Sequence, residues 1–198
     1  MKDVLSRARP ETIVAKSEVK GIWFDSARGW LRRNRDLGVL ARIDARVSPQ
    51  YRGVIIDPLA SEWYPEEVLA ELLVALRAEL TDGSSEAFVQ AIEEITLDGV
   101  GRFFRLVLAL ASPRFVLRKV PILWSRMRRG AGRVEVEADP DRVRLRYRDF
   151  PWFYDPNYRL MTVGTLRGIC RAAGAAAPEV VVADWSPDSL DVDVRTTP

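Results

Sequence analysis

An α+β fold, with a helical N-terminal part packed on a small antiparallel sheet in the C-terminal third, is predicted by two features of the sequence. Apolar residues recur at helical spacing from Val19 to about residue 130, and beyond Gly132 the period drops from 3.6 to 2. The alternating segments form two hairpins on either side of one helical stretch, giving the order ββαββ. A chain of 198 residues with 47% apolar content can bury one substantial core. We therefore expect a single domain over residues 19–198, helical over 19–130 and sheet-containing over 131–198. Residues 1–18 lack a sustained period and are expected to form a loosely ordered lead-in, with a short strand at Thr12 to Ala15.

The run VKGIWFDSARGWLRRN, from Val19, places Ile22, Trp23, Ala27, Trp30 and Leu31 on one helical face. A second helix is expected from Pro65 to Leu80, because Pro suits a first turn and Glu66 and Glu67 suit the positive end of the helix dipole. Glu86 to Leu110 is also helix-like. Gly99 and Gly101 fall inside it, and since each costs about 1 kcal/mol relative to Ala, a break or a close helix crossing is expected there. Ser112-Pro113 supplies an N-cap and a first-turn proline. Val116, Val120, Leu123, Trp124 and Met127 follow at helical spacing, with Pro121 positioned to kink the helix.

In RVEVE (Arg133 to Glu137) and RVRLRYR (Arg142 to Arg148) apolar and charged residues alternate strictly about the turn ADPD. Folding there sets Glu137 against Arg142, Val136 against Val143, Glu135 against Arg144 and Val134 against Leu145. The arginines then form a solvated hairpin face rather than a nucleic-acid site. Thr162 to Ala173 is read as a helix with Cys170 on its apolar stripe. EVVVADW and LDVDVR form the second hairpin, with Trp185 against Leu190, Ala183 against Val192 and Val181 against Val194.

Between the first hairpin and the last helix lies RDFPWFYDPNY, in which Pro151 and Pro156 forbid regular pairing and make a stiff connector. Its rings either close the core or line a cleft between helices and sheet. As a cleft wall, Trp152, Tyr154 and Tyr158 would join Trp23, Trp30 and Phe103.

The 30 basic and 28 acidic residues nearly cancel, but they are unevenly spread. Residues 62–94 hold nine acids and one Arg, whereas residues 114–133 hold six Arg and one Lys with no acid. Such faces pair within a fold or between partners, and pairing between subunits would make a homodimer. Arg126, Arg128 and Arg129, at the end of the basic helix, are the candidate anion or partner patch. The lone Cys170 excludes an internal disulfide, and MKDVLSRARP lacks the apolar stretch of a signal peptide. No run is long enough to span a bilayer, so a cytoplasmic location is expected. Without histidine there is no Ser-His-Asp or Cys-His catalysis, and zinc would have carboxylates and one thiol alone. No catalytic residue, metal site or cofactor is assigned, and no enzyme is expected.

VKGIWFDSARGWL resembles the opening helix of heme nitric oxide/oxygen binding domains, which also run from helices into a C-terminal sheet. The Tyr64-Pro65 helix start and SPRFVLRKVPILW resemble an uncharacterised domain family of myxobacteria. Both are similar in layout to vinyl-reductase-type ligand domains and to small subunits of the TRAPP tethering complex. The resemblance spans about Val19 to Arg195 and rests on the order of its motifs. It implies a ligand-sensing or adaptor domain in cytoplasmic signalling, with an unknown small apolar ligand or protein partner. It also implies a proximal histidine and a Tyr-x-Ser-x-Arg arrangement for heme. This chain has no histidine and reads YRDFPWFYDPNYRLM in the comparable region, so a domain without heme is expected. The alternative is a protein-interaction scaffold whose pocket is filled with side chains.

Overall fold

The computed structural model describes residues 17–109 and 111–196; from residue 100 to residue 109 the description covers the backbone alone. The strand expected at Thr12 to Ala15 lies outside the described residues, as does the side chain of Phe103. The architecture is α+β, with helices packed against antiparallel sheets.

The chain begins with β1 (Glu18–Lys20) and turns at Gly21 into α1 (Ile22–Asn34) and the short α2 (Val39–Arg46). β2 (Trp63–Pro65) precedes α3 (Glu66–Leu80) and the long α4 (Ser85–Ala109). Next come α5 (Pro113–Arg118), α6 (Val120–Met127) and a two-residue β3 (Arg128–Arg129). Val19 pairs with Tyr64 on one side and Arg128 on the other, so β2-β1-β3 form a small antiparallel sheet. The sequence reading did not anticipate this sheet or α2, and it began the first helix at Val19. Strands of two or three residues are too short for alternation to show.

The glycines of α4 cause no break. The helix runs through them, and a Cβ at Gly99 would lie 2.4 Å from Ser26 Oγ on α1, so the glycine marks a close crossing. A second close approach joins α4 to α7 (Pro156–Ala172). A Cβ at Gly164 would come within 2.6 Å of Val89 O, and one at Gly168 within 2.9 Å of Glu93 O. Only glycine lets these helix backbones meet so closely.

Ser112 caps α5 as expected, its side chain accepting from Phe115 N at 3.3 Å. The helix stops at Lys119 rather than kinking at Pro121, which instead takes the first turn of α6, where its missing N–H has no cost. α7 starts six residues before the expected Thr162. Asp155 caps it by accepting from Asn157 N at 2.8 Å, and Pro156 fills the first turn. The connector before it, Pro151–Tyr154, is a single tight helical turn.

The second sheet combines β4 (Arg133–Ala138), β5 (Val143–Arg148), β6 (Glu179–Ser186) and β7 (Ser189–Arg195) in the order β4-β5-β7-β6. In the first hairpin Glu137 faces Arg144 and Val136 faces Leu145, two residues along from the expected partners. The turn takes in Arg142, whose carbonyl accepts from Asp139 N at 2.9 Å and whose side chain reaches Asp139 Oδ2 at 3.2 Å. A two-residue shift keeps every side chain on its face, so the apolar side stays inward. In the second hairpin Trp185 faces Leu190 as expected. A bulge at Ala183 then sets Val182 against Val192 and Val181 against Asp193, leaving Val181 exposed.

The outer face of this sheet is a lattice of ion pairs. Arg144 grips Asp193 with two bonds of 2.7 and 2.8 Å, and Arg148 reaches Asp191 at 2.5 Å. Arg144 and Arg148 therefore find their main acidic partners on β7, while Arg146 pairs with Glu137 of β4 at 2.6 Å. Arg144 holds the Asp193 carboxyl below its ordinary 3.8. A depressed carboxylate stabilises the fold above its ordinary value and loses that contribution as pH falls through the depressed one. Asp193→Asn is thus expected to cost about 1 kcal/mol at neutral pH, with the gap to the parent narrowing toward about pH 3. Urea melts at both pH values check this, and a gap that widens in acid would contradict it.

Candidate functional site

One continuous cluster of buried apolar residues runs from Val19 to Val194. Beside it α1, α4, α5, α6, α7 and β5 line a half-open cavity of about 350 Å³. Its walls follow from helical spacing. α5 and α6 contribute Val116, Val120, Leu123, Trp124 and Met127, the residues that recur at helical spacing in the sequence. α7 contributes Met161, Thr165 and Ile169, four residues apart on one face, with Thr162 and Leu166 beside them. Ile22 and Trp23 of α1 and Tyr147 of β5 complete much of the lining. A volume near 350 Å³ lies at the small end of ligand pockets, which span roughly 300–1,000 Å³.

Arg128 is 5% exposed and part of the lining. Its position is fixed twice, since its N–H caps α6 by donating to Trp124 O and its backbone pairs with Val19. Three rings surround the guanidinium, whose carbon lies 4.4 Å from the Trp124 centroid, 5.3 Å from Phe150 and 5.7 Å from Trp23. Behind it is Glu66, fully buried at the first turn of α3, whose Oε1 accepts from Arg128 Nε at 3.2 Å. The hydroxyl of Tyr158, also fully buried, lies 3.1 Å from the same oxygen and 3.0 Å from Glu66 O. Burial raises the Glu66 carboxyl above its ordinary range, against the opposing pull of the Arg128 charge.

This polar group is incompletely satisfied. Arg128 Nη2, Glu66 Oε2, Trp23 Nε1 and Thr165 Oγ1 are buried and have no hydrogen-bond partner among the described residues. Arg128, Trp23 and Thr165 belong to the cavity lining through their other atoms; the unpaired atoms themselves are buried behind the wall, and the surface the cavity presents is almost entirely apolar.

The other residues singled out from sequence are distributed differently. Trp23 lines the cavity, whereas Trp30, Trp152, Tyr154 and Tyr158 are not among its lining residues. Trp30 is buried in the α1 face with Arg35 over its ring at 5.1 Å. Trp152 is 4% exposed and donates from Nε1 to Ser17 Oγ at 2.9 Å. Phe150, Phe153 and Tyr158 pack edge to face at 5.1 to 5.8 Å, and Tyr154 is half-buried beside Trp152 at 6.1 Å. The rings of RDFPWFYDPNY chiefly close the core. Of the three arginines grouped as a patch, Arg126 and Arg129 are exposed, and Arg129 binds Glu18 at 2.5 Å while Arg128 turns inward. Glu66, Thr165 and Tyr147 were not singled out. The only signal for Glu66 was its place after Pro65, which also explains a helix start.

Among the described residues no group of His, Cys, Asp and Glu could hold a metal ion, and no helix is long and apolar enough to cross a membrane. Cys170 is fully buried away from the cavity lining, and burial pushes its thiol up to about 12.

The fold, helices packed against antiparallel sheets, is shared with solved H-NOX domains. An H-NOX protein from S. oneidensis in the Fe(II)NO ligation state superposes with a TM-score of 0.68 at 11% identity, over 90% of this chain and 99% of that one. Unliganded Fe(II) H-NOX from K. algicida gives 0.64 at 13% identity, over 90% and 97%. An oxygen-binding H-NOX domain related to soluble guanylate cyclases gives 0.58 at 12%, over 90% and 93%. No protein-family model matches the chain, and no curated protein matches it by sequence. The likeness is one of fold.

Proposed function

We propose that the chain is a non-catalytic ligand-sensing or adaptor domain of H-NOX-like layout that holds a small apolar molecule in this cavity and holds no heme. The observation that carries the reading is the cavity itself, about 350 Å³ and walled mainly by aliphatic and aromatic side chains between helices and sheet. The solved neighbours include proteins described as NO-ligated and oxygen-binding, so this layout can house a ligand. Heme does not fit the side chains present. The chain has no histidine, Cys170 is off the lining with its thiol held protonated, and besides the exposed Lys119 amine the described lining offers the thioethers of Met127 and Met161 and the Tyr147 phenol. Burial raises that phenol far above its ordinary value, against tyrosinate ligation.

A non-catalytic role is favoured by the same lining, whose described polar members are hydroxyls, the indoles of Trp23 and Trp124, Lys119 and Arg128, with no carboxylate or imidazole among them. A scaffold role is favoured by one observation. Phe115 and Ile122 are 52% and 49% exposed beside Arg118 and Arg126, a surface suited to a partner. The acidic segment is a poorer match to that face, since Glu79, Glu86 and Glu93 already pair with Arg42, Arg167 and Arg171.

Titration with the neutral dye Nile red and with hemin tests the reading. One dye per chain is expected to brighten in the parent and not in Thr165→Phe, and hemin is expected to give no stable Soret-shifted complex. A stoichiometric hemin complex would overturn the heme-free reading, and dye binding unaffected by Thr165→Phe would overturn the cavity.

A further inference from the structure

We infer that α5 and α6 form a docking face for an anionic lipid bilayer, with Phe115 and Ile122 entering the interface and Arg118, Lys119 and Arg126 held at the level of the lipid phosphates. From Pro113 to Met127 the exposed side chains are these five and Ser125, whose hydroxyl bonds back to Ile122 O at 3.0 Å. Phe115 and Ile122 are 52% and 49% exposed, and the cations stand between and beyond them at helical spacing. Other exposed apolar side chains, such as Leu37 and Ile56, have a carboxylate next to them in the chain, Asp36 and Asp57. Here no acid occurs between Asp98 and Glu135.

The cations of this face are also uncommitted. In the same basic stretch Arg114 donates to the carbonyls of Asp139 and Pro140, and Arg128, Arg129 and Arg133 meet Glu66, Glu18 and Asp149. Arg118, Lys119 and Arg126 make no ion pair among the described residues, and Lys119 lies 5.3 Å over the Phe115 ring. Unpaired cations interleaved with apolar tips match a surface that presents negative charge over hydrocarbon. With Ser125 already bonded, the face keeps no free neutral donor to fix the register of a protein partner. The cavity adds a geometric reason. Of its described lining residues only Phe115 and Lys119 are exposed, so its open side adjoins this face. A bilayer docked there brings hydrocarbon to the cavity mouth, although docking itself stands without any cavity ligand.

Sedimentation of the full chain with vesicles of phosphatidylcholine, and of phosphatidylcholine mixed with phosphatidylglycerol, tests this. Binding is expected to the mixed vesicles and to weaken with added salt. Arg118→Gln with Arg126→Gln is expected to weaken it about 30-fold, at about fivefold per charge near an anionic surface, and to melt with the parent. Phe115→Ser with Ile122→Ser is expected to weaken it about tenfold with the salt dependence kept. Equal binding to both vesicle types would overturn the role of charge, and full binding by either double variant would overturn the face. A chain that ignores both vesicle types would sink the inference, and a dimer dissolved by Phe115→Ser with Ile122→Ser would then assign the face to a second copy. Nile red brightening without vesicles reports the cavity alone, so its persistence beside failed vesicle binding would sink this inference and leave the cavity reading standing.

Discussion

Replacing Arg128 by alanine is expected to destabilise the protein by about 3–5 kcal/mol, the penalty for removing one partner of a buried pair. Glu66 is fully buried and its carboxyl meets Arg128 Nε and the Tyr158 hydroxyl. Without the guanidinium, burial acts on that carboxyl unopposed by its main attraction. The loss carries a pH signature. A carboxyl whose folded value is raised contributes stability that is present below its ordinary value and lost as pH rises through the raised one. Arg128→Ala should therefore recover relative to the parent on acidification from neutral pH. Replacing Glu66 by leucine in the same chain should restore most of the loss, because exchanging a whole buried pair for apolar groups is often neutral. Melts of the two variants across pH decide the matter, and an Arg128→Ala protein within about 1 kcal/mol of the parent would contradict it.

Trp152→Ala is expected to cost a similar 3–5 kcal/mol. The indole is 4% exposed and packs at 5.7 Å from the Tyr158 ring, so truncation opens a void in a cluster that also contains Phe150 and Phe153. It also severs the bond from Nε1 to Ser17 Oγ, a contact that ties the start of β1 to the connector before α7. Trp152→Phe separates the two contributions, since it retains most of the ring and should lose only about 1 kcal/mol beyond the change in packing. A Trp152→Ala melting temperature equal to that of the parent would show that this ring is not part of the core.

The sequence disclosed elements wherever one periodicity ran long enough to be read. RVRLRYR and LDVDVR alternate over six or more residues, and both are strands. Their register depended on the turn, where Arg142 leaves the strand to bond Asp139, and on the bulge at Ala183, neither of which alternation can show. The three-residue strands at Val19 and Tyr64 were too brief to register. The cavity was half visible. Val116, Val120, Leu123, Trp124 and Met127 were grouped on one helix and fall on two that line the same cavity, but apolar spacing is identical whether a stripe meets a neighbouring helix or an open space. Glu66 and Arg128 are 62 residues apart, and only the pairing of β1 with both β2 and β3 brings them together.

The bulge at Ala183 bears on how copies of this chain behave toward one another. β6 is an outer strand of its sheet, and an unpaired edge with Val181 exposed is the kind of template on which a second chain could extend the ladder. The extra residue interrupts the even row of amides and carbonyls midway along that edge and increases its local twist. The opposite edge, β4, carries Arg133, Glu135 and Glu137 outward. An approaching strand meets a broken ladder on one side and alternating charge on the other, so the sheet is built to stop at four strands and to resist edge-to-edge association at high protein concentration.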